Sequence, residues 1–337
     1  MNKCRICGNL EGNQTFSLSE KMLGTGEMFP YFKCAECGCL QITDIPDSLK
    51  HHYDNDYYSF KKIRNCFDNV FKSYFKYLRT RYALADKKTP FAMLFLNLYP
   101  PPNYFDWLKK AAVTINSEIL DIGCGSGELL VRLRKDGFNS LTGLDAFIED
   151  DILYDNGVSV YKKTLSEQGS QYDFIMLHHS FEHMPDPMNT ARNLYRALRQ
   201  DRFVLIRVPV VSSHAWEKYG QNWVQLDAPR HLYLHTEKSI RIIAQKTGFE
   251  VKDITYDSDE FQFWGSEQYL NGISLKAPES LENGLERSIF TKKQIKEFKL
   301  VAADLNEKRA GDQACFYLYK SNPDKLGTIK VKNRKAL

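Results

Sequence analysis

The chain has 337 residues, 43% of them hydrophobic and 26% charged, and its 46 Lys and Arg against 42 Asp and Glu give a formal charge of +4. This composition excludes a disordered chain, and the length predicts a catalytic core of ordinary size with smaller attached pieces. The small charge excess gives no electrostatic reason to expect nucleic acid, Met1-Asn2-Lys3-Cys4 does not open a signal peptide, and no stretch reaches the roughly 18 to 20 apolar residues of a membrane span, so a cytoplasmic protein is expected.

Cys4-Arg-Ile-Cys7-Gly8 and Cys34-Ala-Glu-Cys37-Gly38 are two copies of one small loop. Each Cys-x-x-Cys turns back so that two thiolates face one ion, and two such turns close a tetrahedral site. With no position left open, a zinc ion on Cys4, Cys7, Cys34 and Cys37 would be structural. In a reducing compartment metal accounts for these cysteines better than disulfides do, and a redox dithiol is the rival reading. Cys39 is a spare thiol in poorer register.

After a Tyr-rich stretch from His51 to Phe60, Phe67, Val70, Phe71, Tyr74, Phe75, Leu78 and Tyr82 recur at helical spacing. They predict an amphipathic helix packed on the core by its apolar stripe. Lys72, Lys76 and Arg79 would then form a solvated face, with a phosphate clamp as the less favoured alternative. The run Phe91 to Tyr99 is too short to span a membrane and is followed by Pro100, Pro101 and Pro102, which predicts a core helix ended by prolines.

From Glu118 onward, short apolar runs alternate with helical ones. Strands are expected at Glu118 to Ile122, Leu141 to Leu144, Val158 to Tyr161, Tyr172 to His178 and Phe203 to Val208, with Phe249 to Tyr256 and Ala314 to Tyr319 completing the sheet. Helices are expected at Leu129 to Lys135, closed by Gly137; at Pro187 to Arg199, capped by Asp186; and from Thr236 to Thr247, stopped by Gly248. Phe261 to Arg309 reads as a mostly helical insertion. This alternation specifies a parallel sheet covered by helices.

Asp121-Ile-Gly123-Cys-Gly125-Ser-Gly127 follows a strand and opens a helix, the context that gives a glycine motif its meaning. Glycines let the chain turn sharply and bring backbone N–H groups close to a ligand. Asp145 ends the next strand, where a carboxylate can accept both hydroxyls of a ribose. A dinucleotide fingerprint asks for another glycine where Glu128 stands. Asp121 suits the amino group of S-adenosylmethionine, which carries no phosphate.

The run Glu118 to Gly127, the acid at Asp145, and His179-Ser-Phe-Glu182-His183-Met-Pro-Asp-Pro187 resemble class I S-adenosylmethionine-dependent methyltransferases. The resemblance implies a doubly wound, mostly parallel seven-stranded α/β sheet of Rossmann-like type. Over residues 110 to 255 it covers most of the core, and with the paired cysteines and the periodic runs it divides the chain into a zinc ribbon at 1–45, a helical linker or lid at 46–110, a core at 111–320 with its insertion near 260–310, and a basic tail at 321–337. It also implies cofactor contacts at Asp121, Gly123, Gly125, Gly127, Asp145, Thr164, Leu165 and His179.

Methyl transfer from a sulfonium is an in-line displacement, so the protein must align donor and acceptor and remove a proton from a hydroxyl acceptor. His178, His179, Glu182 and His183 lie past the fourth strand's C-terminal end, where parallel sheets bind ligands. A four-Cys zinc domain joined to this core resembles sugar C-methyltransferases of deoxysugar biosynthesis. Glu182 and His183 match their Glu-His pair, whereas Ser180 stands where those enzymes have Tyr.

Trp223-Val-Gln-Leu-Asp227-Ala-Pro229-Arg230-His231-Leu-Tyr233-Leu-His235-Thr236 resembles an Asp-x-Pro-Arg-His segment of methyltransferases associated with bacterial surface-polysaccharide gene clusters. It implies that Arg230 grips an anionic part of the acceptor, that His231 or His183 is the base, and that Trp223 or Tyr233 stacks on a sugar. An internal Asp227–Arg230 pair is the purely architectural alternative. The expected activity is methylation of a hydroxyl on a sugar or sugar nucleotide in surface-polysaccharide biosynthesis, with sugar C-methylation next. A zinc-ribbon RNA methyltransferase and a plain binding module are the readings from other classes. The oligomeric state stays open.

Overall fold

A computed structural model of the chain describes residues 2–46, 52, 63, 65–167 and 169–322, so most of the Tyr-rich stretch and the basic tail lie outside the described residues. Strands β1 (Gln14–Ser19), β2 (Met28–Lys33) and β3 (Leu40–Ile42) are followed by helices α1 (Val70–Leu84), α2 (Pro90–Leu98) and α3 (Tyr104–Lys110). The core then runs β4 (Glu118–Ile122), α4 (Glu128–Lys135), β5 (Ser140–Leu144), β6 (Ile152–Leu153), β7 (Ser159–Tyr161), β8 (Tyr172–His178), α5 (Pro187–Ala197) and β9 (Leu198–Pro209). It ends with α6 (His214–Tyr219), β10 (Tyr233–Leu234), α7 (Glu237–Thr247), β11 (Glu250–Tyr256), α8 (Phe261–Leu270), α9 (Lys292–Glu307) and β12 (Gln313–Lys320).

The central sheet has the order β11-β12-β9-β8-β4-β5-β7-β6. Strand β4 is flanked in parallel by β5 and β8, and β12 inserts antiparallel between β9 and β11. The chain winds outward from β4 on one side, then returns to build the other, which places the ligand crevice at the C-terminal end of β4. The seven expected strands are all present. An eighth, the two-residue β6, pairs antiparallel with β7 and corrects the strand count; nothing in so short a stretch distinguishes it from a loop.

Burial on both faces explains the continuous apolar runs of the central strands. Along β8, Phe174 and Met176 join one core with Ile119 and Leu205, while Ile175 and Leu177 join the other with Leu120 and Ile206, as strand alternation requires. Helix ends follow the capping residues. Asp186 accepts from Asn189 N at 2.9 Å, Thr236 and Ser239 form a reciprocal capping box, and Gly248 ends α7 at φ +89°.

The N-terminal strands are not a detached unit. β3 pairs antiparallel with β10, with Tyr233 opposite Gln41 and Leu234 opposite Leu40, and Tyr31, Phe32 and Leu40 share a core with Ile206 and Phe316.

Helix α1 reverses the expected packing. Its inward residues are Thr80 and Ala83, whereas Phe71 is 81% and Val70 82% exposed. The inward polar face is made compatible with burial by hydrogen bonding: Thr80 Oγ1 donates to Asp136 O at 2.7 Å and Arg79 pairs with Asp136 at 2.8 Å. Lys72 is exposed, as a solvated face requires, while Lys76 is largely covered, and both pair with Asp68 rather than standing free as a phosphate clamp. Helix α2 is not a core helix either, since only Ala92 is buried. Thr80 and Tyr77 lie against Asp136 and Gly137 at the far end of α4 from the glycine loop, so the α1–α2 hairpin is no lid over the crevice.

Candidate functional site

The four knuckle thiols converge. Cys4 and Cys37 Sγ are 3.6 Å apart, Cys7 and Cys34 Sγ 3.5 Å, and all four lie within 4.8 Å of one another. Zinc–sulfur bonds of about 2.3 Å place thiolates roughly 3.8 Å apart in a tetrahedron, so the donor set fits that ion. The two loops are built alike: Gly8 N donates to Cys4 O and Gly38 N to Cys34 O, with both glycines at positive φ. Gln41 Nε2 approaches Cys4 Sγ at 3.2 Å. Cys39 stands outside the group, its thiol turned to Leu40 O.

The glycine loop lies at the C-terminal end of β4. Gly123 has φ +70°, and a Cβ there would lie 2.4 Å from Ser180 Cβ. Gly127 has φ +81°, and its Cβ would lie 2.7 Å from Val160 Cγ2. Both positions therefore exclude side chains by conformation and by space. Asp121 is almost wholly buried and receives no hydrogen bond from a described residue; burial, then the charge of Asp145, pushes its carboxyl well above the usual range. A cationic ligand group would offset that cost, and S-adenosylmethionine carries an ammonium and a sulfonium. Asp145, expected to receive ribose hydroxyls, takes Gly125 N–H and Phe147 N–H at 2.8 Å each, one on each oxygen, so it also braces the glycine loop.

Thr164 and Leu165 begin a single turn beyond β7. The Thr164 hydroxyl donates to Glu167 at 2.6 Å, and Leu165 is buried in the core, so the structure gives neither side chain a visible ligand role.

Beyond β8, Ser180 Oγ donates to Ile122 O at 2.7 Å and presses this turn onto the glycine loop. Glu182 follows, fully buried, with no hydrogen-bond partner on either oxygen among the described residues. His179 Nδ1 is 3.5 Å and His231 Nε2 3.9 Å from Glu182 Oε1. Glu182, His183 and His231 each bring a donor atom within 4.8 Å of the others, a set that divalent cations also accept. Burial pushes the Glu182 carboxyl up, but the surrounding imidazoles outweigh it and hold the group down at about 2.

Backbone carbonyls fix the imidazole tautomers. His231 Nδ1 lies 2.8 Å from Gln225 O and His183 Nδ1 2.8 Å from Arg230 O, so each Nδ1 carries the hydrogen and each Nε2 the lone pair. The two rings meet edge to face at 4.8 Å. Burial lowers His231 to about 4, against the opposing charge of Asp227, while half-buried His183 is the more accessible of the two. His179 accepts from Arg207 Nη1 at 2.8 Å, which turns its Nδ1–H toward Glu182 and makes it a neighbour of the acid.

Arg230 does not reach toward an acceptor. It is fully buried, with Nε shared by both Asp227 oxygens at 3.0 Å, Nη2 on Glu20 at 2.8 Å and Nη1 on His52 O at 2.8 Å. Its planar fork is spent within the protein. Trp223 and Tyr233 are also fully buried: the indole donates to Asp312 at 2.9 Å and the phenol to Pro185 O, so neither is available to stack on a sugar.

Glu20 carried no sequence signal as the partner of a residue 210 positions away. Arg207 did carry one, a lone cation in the apolar run Val204 to Val208, and it now bridges His179 and Asp257 at 2.8 Å beside the site.

Residues 77–254 match the model of a methyltransferase domain. A ubiquinone biosynthesis O-methyltransferase of Pseudomonas aeruginosa (strain UCBPP-PA14) is 25% identical over 173 residues, 45% of this chain and 73% of its own. A tRNA U34 carboxymethyltransferase of Aliarcobacter butzleri is 25% identical over 146 residues, 39% of this chain and 47% of its own. Among solved structures, a SAM-dependent methyltransferase from Archaeoglobus fulgidus overlays on 65% of this chain and 100% of its own, at 16% identity and a TM-score of 0.37.

Proposed function

We propose that this chain, which belongs to the methyltransferase domain family and is a class I S-adenosylmethionine-dependent methyltransferase, methylates a hydroxyl of a sugar or sugar nucleotide in surface-polysaccharide biosynthesis, working in the cytoplasm. The observation that carries the hydroxyl is the buried Glu182 carboxylate facing imidazoles whose Nδ1 hydrogens are fixed on carbonyls. A relative named as an O-methyltransferase supports the same acceptor atom. The sugar rests on the Asp227-to-His231 resemblance alone, now without Arg230, Trp223 or Tyr233 as contacts.

When bound, S-adenosylmethionine supplies a methyl group made electrophilic by its sulfonium. Gly123, Gly125 and Gly127 would admit it against the backbone, with Asp121 toward the amino group and Asp145 toward the ribose. His183 takes the acceptor's hydroxyl proton at Nε2, and His231 behind it is the alternative base. Glu182 stabilises the imidazolium so formed, as a buried carboxylate does in hydrolase triads. Cys4, Cys7, Cys34 and Cys37 would hold zinc as a brace for the segment carrying His231, because Thr236 Oγ1 donates to Cys37 O at 2.6 Å.

Mass spectrometry of nucleotide sugars incubated with enzyme and S-adenosylmethionine tests this reading. A gain of one methyl, located on oxygen, supports it. A methyl on carbon, or transfer only to RNA or to phenolic acceptors, overturns it.

A further inference from the structure

The α1–α2 hairpin turns its greasy side outward. Phe91 is 64%, Leu94 59% and Leu98 68% exposed on one face of α2, beside Phe71, Tyr74 and Phe75 on α1. The surface is continuous, because Phe75 stacks on Phe95 and Tyr99, and Tyr82 meets Phe91 and Phe95. A patch of this kind marks an interaction site.

Its rim is cationic. Residues 68–99 hold six Lys and Arg against two Asp, a local excess equal to the whole chain's +4. Lys72, Lys76 and Arg79 make ion pairs with Asp68 and Asp136, but Arg81, Lys87 and Lys88 make none among the described residues, and Lys87 and Lys88 lie in the segment joining the two helices. Helices with aromatic and aliphatic residues on one face and cations along the edge lie in the headgroup region of anionic bilayers. A face-to-face pair of copies would set these cations against each other, so charge complementarity favours the bilayer over a second copy.

We infer that the α1–α2 hairpin docks this enzyme on an anionic membrane surface, lying in the interface without crossing it. No helix among the described residues is long and apolar enough to cross a membrane. The hairpin sits at the opposite end of α4 from the glycine loop, so docking leaves the crevice uncovered on the side away from the membrane. The inference does not depend on the acceptor's identity.

Co-sedimentation of the full chain with phosphatidylglycerol–phosphatidylcholine vesicles tests it, with S-adenosylmethionine binding by calorimetry as the control for folding. Binding is expected to anionic vesicles and to fall steeply with salt and on pure phosphatidylcholine. Leu94→Ser with Leu98→Ser, and separately Lys87→Gln with Lys88→Gln, should each weaken it about tenfold or more while cofactor binding is unchanged. Absence of binding to anionic vesicles overturns the inference. So does a dimer in sedimentation velocity that Leu94→Ser with Leu98→Ser dissociates, or binding to RNA that these same Lys substitutions remove while vesicle binding persists.

Discussion

Arg230 and Glu20 form a 2.8 Å ion pair with both side chains wholly removed from solvent, joining the turn after β1 to the segment that carries His231. Glu20 also accepts from Leu23 N and Thr25 N. Removing Arg230 strands the Glu20 and Asp227 charges in the interior, which costs about 3–5 kcal/mol, whereas removing the Glu20 charge leaves Arg230 paired with Asp227. Arg230→Ala is therefore expected to lower the urea midpoint sharply, and Glu20→Gln to lower it less. Burial pushes the Glu20 carboxyl up, but its hydrogen bonds and Arg230 bring it below the ordinary 4.5. A lowered folded value means this stabilisation is present above about pH 4.5 and is lost as pH falls through the folded value. If Arg230→Ala raised KM alone and left the midpoint unchanged, the acceptor-gripping role would return.

The knuckle cluster makes a second prediction. Zinc, measured by elemental mass spectrometry, should bind at one ion per chain, and Cys34→Ser or Cys37→Ser should lose it. Because β3 pairs with β10 and Thr236 leans on Cys37 O, the loss should lower the thermal midpoint and kcat together, without changing the cofactor loop's own residues. A metal-free protein with an undiminished midpoint would contradict a bracing role.

Removing the base should cost turnover at nearly unchanged cofactor affinity. His183→Ala is expected to lower kcat by about 100- to 10,000-fold, the usual worth of general base catalysis. Glu182→Gln keeps the shape and removes the charge that stabilises the imidazolium, so a smaller loss of kcat is expected. Single-turnover rates and calorimetric S-adenosylmethionine binding separate these effects. Full activity in both His183→Ala and His231→Ala would remove the imidazoles from the mechanism.

The sheet was legible because its signals are local. A buried parallel strand must be apolar throughout, as Glu118–Ile122 and Tyr172–His178 are, and a helix end needs a cap such as Asp186 or Thr236. The glycine loop and the paired knuckles were legible because only certain residue types perform those tasks. The Asp227–Arg230 pair was legible because the two residues are three apart, whereas the burial that commits the guanidinium was not, because its other carboxylate partner, Glu20, is 210 positions away. Helix α1 was misjudged because periodicity reports that a face is apolar, not what covers it. Here Asp136 satisfies the polar face inside the protein.

The contact between Gly123 and Ser180 gives a prediction whose two components can be separated. Gly123→Ala suffers twice: a Cβ 2.4 Å from Ser180 Cβ, and an L side chain at φ +70°. The backbone component is about 1–2 kcal/mol for a residue forced into the left-handed region. Movement of the loop to relieve the overlap would also shift the N–H groups proposed to meet S-adenosylmethionine, so affinity for it should fall at least about tenfold, since 1.4 kcal/mol corresponds to a factor of ten. Adding Ser180→Gly to Gly123→Ala removes the overlap but not the strain, so calorimetry should recover part of the loss and only part. A full recovery would mean that space alone demands glycine there, and no recovery would place the whole demand on the backbone's conformation.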